Sequence, residues 1–218
     1  MAPARGPATH LVVLVHGYGA DGRDLIGLAQ HWQGLLPTVA FAAPNAPTRI
    51  AGGQGYQWFP ISRIDPHEMR KGVEAAAPVL DEYLDAELAR LGLPPERLAL
   101  AGFSQGTMLS LHLGLRRKVR PAAIVGFSGL LAGPPEGGEI PPILLTHGDS
   151  DQVIPPQAMF VAAAQLGLAG AAVQWHLAPG MGHGIDPDGL AIAGQFLSLA
   201  LHGLLKKPGE IRCVYKPS

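Results

Sequence analysis

The chain has 218 residues, a formal net charge of −1 and one cysteine, Cys213. That length holds one α/β domain with a full core and is short for two. The near-neutral charge argues against capture by nucleic acid or acidic membranes, and a single cysteine rules out an internal disulfide, leaving Cys213 as a bystander in a reducing compartment.

Hydrophobic residues make up 47% of the chain and charged residues 15%. This apolar balance suits a buried sheet or a surface partly covered by a partner, and it keeps a homodimer in view. Residues 1–10 contain Arg5 but no apolar signal segment. No run approaches the roughly 20 apolar residues that span a bilayer, so a cytoplasmic protein without stable membrane insertion is expected.

In chain order, residues 11–15 (LVVLV) read as a strand covered on both faces. The strand runs into His16-Gly17-Tyr18-Gly19-Ala20-Asp21-Gly22, formally a G-x-G-x-x-G loop. A dinucleotide site would need an acidic residue about 20 positions further on. No Asp or Glu occurs from Leu25 through Ile64, so that reading is set aside. A helix is expected over 24–36 and a second strand over 38–43, ending in Pro44-Asn45-Ala46-Pro47.

The loop 44–66 carries Gly52, Gly53 and Gly55, then Trp58 and Phe59. Loops of this length inside a compact domain are usually functional. The two aromatics either wall an acyl chain or plug the edge of the core. A long helix is expected over 66–91, with a kink or break near Ala77 because Pro78 removes a backbone donor. Beyond it, Leu80, Tyr83, Leu84, Leu88 and Leu91 form a core-facing stripe.

Residues 98–103 read as a strand and 105–117 as a helix, with Gly102-Phe103-Ser104-Gln105-Gly106 on the bend between them. A sharp strand-to-helix turn presents a serine hydroxyl above the sheet, and small flanking residues let the turn close. The alternative is a serine that only caps the helix. After a glycine- and proline-rich loop over 130–142, a strand is expected at 142–146, then His147-Gly148-Asp149-Ser150-Asp151 in a polar turn. A helix over 155–168 and a strand over 173–178 follow, then the loop Pro179-Gly180-Met181-Gly182-His183-Gly184, a helix over 186–205 and a polar tail, 206–218.

A serine hydroxyl needs a histidine base oriented by a carboxylate. His183 is the candidate base, and Asp149 and Asp151 compete as the acid. Singly, each of these reads as a turn residue. Jointly, serine, acid and histidine follow strand ends in the order expected of an α/β-hydrolase, which sets them on the carboxyl edge of one parallel sheet. The tetrahedral intermediate also needs two N–H donors, expected from the backbones of Tyr18 and Gln105. Trp58, Phe59, Ile154 and Met181 are the candidate substrate contacts.

The segments His16 to Gly22, Pro44 to Pro47, Trp58-Phe59-Pro60-Ile61, Gly102 to Met108, His147 to Asp151 and Gly182-His183-Gly184 together resemble the phospholipase/carboxylesterase family of small α/β-hydrolases. That family includes bacterial carboxylesterases and acyl-protein thioesterases, and the likeness runs from about residue 10 to about residue 201. The resemblance implies one α/β-hydrolase domain, with its core over about 10–203 and a mostly parallel central sheet with helices on both faces. It also selects Asp151 over Asp149 as the acid. The implied function is a serine carboxylesterase acting on small, largely apolar acyl esters or thioesters without metal or cofactor. A thioesterase or lysophospholipase for longer chains, and a noncatalytic binding module, are the alternatives.

Overall fold

The structure is a computed structural model and describes residues 1–136 and 138–205. The tail 206–218, with Cys213, lies outside the described residues. Six strands form one parallel sheet: β1 (His10–Val15), β2 (Val39–Ala42), β5 (Leu98–Phe103), β6 (Ala123–Phe127), β7 (Ile143–Gly148) and β8 (Val173–Ala178). Their order across the sheet is β2-β1-β5-β6-β7-β8. Two short strands, β3 (Thr48–Arg49) and β4 (Tyr56–Gln57), pair antiparallel inside the long loop.

The apolar run of β1 has a direct structural reason. Successive side chains of a strand face opposite sides, so Leu11, Val13 and Val15 enter one core cluster while Val12 and Leu14 enter the other. The first cluster packs under α3 (Pro66–Leu91), α4 (Gln105–Gly114) and α5 (Gln157–Leu168). The second packs under α1 (Gly22–Ile26), α2 (Leu28–Trp32) and α6 (Pro187–Leu201). This is the expected α/β architecture with helices on both faces.

Several expected elements change. The helix expected over 24–36 is two short helices meeting at Gly27, and it starts earlier because Asp21 caps it through a capping box with Asp24. The break expected near Ala77 is absent: α3 runs as one helix through Pro78. Pro78 is exposed, as is Glu74, whose carbonyl is the one that loses its helical donor, so the interruption falls on the outer face of α3. Strand β6 was not anticipated. It is short and apolar, buried at all five positions, and lacks the alternation that marks a half-buried strand.

The chain steps from β1 outward to β2 and then returns to the other side of β1 with β5. The strand order thus reverses at the carboxyl ends of β1 and β5, the position at which α/β sheets bind ligands. The loop after β1 and the serine after β5 both lie there.

Candidate active site

Ser104 sits between β5 and α4 with φ 53° and ψ −114°, a left-handed backbone that a non-glycine residue adopts only when its surroundings impose it. Its N–H donates to the Phe127 carbonyl at 2.9 Å, which ties the bend to the end of β6. Thr107 closes the turn from inside, its hydroxyl lying 2.7 Å from the Gly102 carbonyl and 2.8 Å from that of Phe127. A Cβ at Gly106 would overlap the Val15 carbonyl, so only glycine lets α4 start this close to β1.

The structure brings Ser104, His183 and Asp151 into one chain of hydrogen bonds. His183 Nε2 is 3.0 Å from Ser104 Oγ, and His183 Nδ1 is 2.8 Å from Asp151 Oδ2. An ionised carboxylate only accepts, so Nδ1 carries the proton and Nε2 is free to accept from the serine hydroxyl. The Phe103 ring packs against the imidazole at 5.1 Å between centroids. The Ser128 hydroxyl, on a residue with φ 46°, donates to the Gly184 carbonyl at 2.8 Å and anchors the histidine loop to the sheet.

Asp151 is 4% exposed. Burial alone would raise its pKa, but hydrogen bonds from His183 and from the Ile154 and Val153 N–H groups hold it below the ordinary carboxyl value. His147 lies beside Asp151, a neighbour that the motif reading missed. Its Nε2 is 2.8 Å from the Ile154 carbonyl, which fixes the proton on that nitrogen, and 3.1 Å from Asp151 Oδ2. The competing acid, Asp149, is a turn residue: its Oδ1 accepts from Gly180 N–H and from the Ser150 hydroxyl, each at 2.8 Å.

The loop after β1 lies against the serine, since a Cβ on Gly17 would stand 3.2 Å from Ser104 Cβ. His16 orients this loop. Ala46 N–H donates to its Nε2 at 2.9 Å, so the proton is on Nδ1, which donates to the Gly17 carbonyl at 2.8 Å. Burial lowers the pKa of His16 and keeps the ring neutral. Across a trans peptide the next N–H points opposite to the carbonyl, so the Tyr18 N–H is aimed away from the His16 ring. Neither that N–H nor the one of Gln105, at the first turn of α4, donates to another described residue.

Trp58 and Phe59 need correction as substrate contacts. They are 5% and 3% exposed, belong to the core cluster, and plug the core edge. Gln105, whose side chain was assigned no role, holds them: its Oε1 accepts from Trp58 N–H at 2.9 Å and its Nε2 donates to the Phe59 carbonyl at 2.8 Å. The Trp58 indole donates to the His16 carbonyl at 3.0 Å. Ile154, 1% exposed, is likewise a core residue whose main chain serves His147 and Asp151. Met181 alone of the four is half-buried, two residues from His183.

Comparison with known proteins gives a consistent answer. The chain is 28% identical to acyl-protein thioesterase 1 of Gibberella zeae over 89% of its own length and 92% of the relative's. It is 33% identical to acyl-protein thioesterase 1 of Schizosaccharomyces pombe over 67% of its length and 70% of that protein. The crystal structure of esterase PE8 superposes with a TM-score of 0.85 at 41% identity, covering 94% of this chain and 97% of that one. The pattern of the phospholipase/carboxylesterase family matches residues 1–201, and with the parallel sheet this means that the chain belongs to the phospholipase/carboxylesterase family of α/β-hydrolases.

Proposed function

We propose that this family member is a serine carboxylesterase in which Ser104 is the nucleophile, His183 the base and Asp151 the orienting acid. The observation that carries the reading is the unbroken hydrogen-bond chain from Ser104 Oγ through His183 to Asp151. As Oγ attacks an ester or thioester carbonyl, His183 Nε2 takes its proton, and Asp151 holds the tautomer and steadies the imidazolium. The oxyanion accepts hydrogen bonds from the Tyr18 and Gln105 backbones. The imidazolium then gives its proton to the departing alcohol or thiol. Water next loses a proton to His183 while attacking the acyl-enzyme, and collapse of the second intermediate returns that proton to Ser104 and frees the acid. Every proton passes through His183, so the proposal calls for no metal or cofactor.

Small acyl groups are the favoured substrates, because Trp58, Phe59 and Ile154 are sealed in the core and only Met181 of the expected wall is partly open. The names of the fungal relatives support a second reading, a thioesterase for longer acyl chains. Hydrolysis of nitrophenyl esters and acyl thioesters of increasing chain length separates the two. A rate that falls steadily with length favours the first reading, and one that rises favours the second. Ser104→Ala is expected to lower kcat by roughly 10⁶-fold and to abolish labelling by an organophosphonate, with the fold intact. Retained turnover or labelling refutes the assignment.

A further inference from the structure

The carboxyl end of β6 touches all three segments that carry the proposed triad. Strand β6 lies between β5, which leads to Ser104, and β7, which leads to the turn holding Asp151. At its end the Phe127 carbonyl accepts from the Ser104 N–H at 2.9 Å. The next residue, Ser128, donates its N–H to the Thr146 carbonyl of β7 at 2.8 Å and its hydroxyl to the Gly184 carbonyl, also at 2.8 Å. The nucleophile and the loop of the base are therefore fixed to two consecutive residues.

The histidine loop is held differently on its two sides. Before His183 the turn after β7 grips it: Asp149 Oδ1 accepts from the Gly180 N–H at 2.8 Å, and the Ser150 N–H donates to the Met181 carbonyl at 3.0 Å. Among the described residues, the main chain of 182–185 makes one hydrogen bond, the one from the Ser128 hydroxyl. Cutting it frees the backbone that carries the imidazole and leaves the turn before it in place.

The backbone of Ser128 adds an independent observation. The residue is 0% exposed and has φ 46°, and among the described residues only Ser104 is another non-glycine with positive φ. A left-handed backbone crowds the Cβ of any L-residue, whereas glycine adopts it freely. A side chain retained where the backbone favours glycine points to something that glycine lacks. At position 128 that is the hydroxyl bonded to Gly184. We propose that Ser128 is a positioning residue of the reaction, whose hydroxyl, through Gly184, sets the reach of His183 Nε2 to Ser104 Oγ. The inference rests on the triad reading above. Fully buried, Ser128 acts on the chemistry only through the loop it holds.

Labelling of the full chain at increasing organophosphonate concentration, beside thermal melting, tests this. Ser128→Gly and Ser128→Ala both remove the hydroxyl, and each is expected to lower the maximal labelling rate roughly 10- to 100-fold, the scale of a misplacement of about 1 Å. The half-saturating probe concentration should stay at the wild-type value, because a side chain without exposure does not touch the probe. Stability is expected to follow the backbone instead, so that the glycine variant, relieved of Cβ crowding, melts above the alanine variant. Ser128→Thr restores a hydroxyl and should label at close to the wild-type rate while melting lower, since a β-branched residue is strained at positive φ. Should it fail to fold, the glycine and alanine pair carries the test. A glycine variant that labels at the wild-type rate overturns the proposal, as does a rate loss confined to the variant that melts lowest. A wild type that takes no label is a separate outcome: it refutes the triad reading itself, and this inference falls with it.

Discussion

Two groups of residues meet at the carboxyl rim of the sheet, the proposed triad and the brace behind it, and they are held in different ways. Ser104, Asp151 and His183 are placed mainly by neighbours close along the chain, the strand-to-helix bend for Ser104, the Val153 and Ile154 N–H groups for Asp151 and a loop between β8 and α6 for His183, with longer ties that include those from Phe127 to Ser104 and from Ser128 to Gly184. The brace of His16, Gln105, Trp58 and Phe59 is buried, and its hydrogen bonds join segments far apart in sequence. Local chain geometry thus presents the reactive groups, while the alignment of the loop after β1 depends on long-range burial. Loss of a triad member should remove chemistry and spare the fold. Loss of a brace member should do the reverse in part.

The largest separation is expected for Asp151→Asn. An amide opposite Nδ1 favours the wrong tautomer of His183, and kcat should fall on the order of 10⁴-fold with little change in the thermal midpoint. An activity loss below tenfold would mean that Asp151 does not orient the imidazole. Gln105→Leu is the complementary variant. It leaves the Trp58 N–H and the Phe59 carbonyl buried without partners, which costs about 2–4 kcal/mol, read as a lower urea midpoint. A midpoint equal to wild type would show that the loop holds without the glutamine.

The smallest effect is expected away from the rim. His10 accepts from Arg97 at 2.9 Å, and burial, with the Arg97 charge, lowers its pKa from 6.5 to about 4. His112 is lowered to about 4 as well, by burial and then by the charge of Arg116. Between these limits the unfolded chain binds protons that the folded chain refuses. Stability present above pH 6.5 is therefore lost as the pH falls from 6.5 toward 4. His10→Gln keeps an acceptor for Arg97 and does not titrate, so its melting temperature should drop less over that interval. An unaltered acid limb would exclude His10 as a contributor.

Legibility followed the same division. Ser104, Asp151 and His183 stand out because each follows an apolar run and sits among turn-forming residues. The side-chain role of Gln105 was hidden, since a polar residue at the start of a helix reads as solvent-facing until a loop from residues 58–59 is laid over it. His147 was hidden for a similar reason: its partners, Ile154 and Asp151, become partners only when the turn after β7 folds back.

Five of the six sheet strands, the bend at Ser104 and the order of the candidate residues can be read along the chain, because hydrophobic period and turn chemistry act over a few residues. The burial of Trp58 and Phe59 in the core, the passage of α3 through Pro78 and the place of β6 beside β5 emerge from the folded chain. Burial depends on what packs opposite a residue, and the packing of the rest of α3 against the core outweighs the local cost of Pro78 on its outer face.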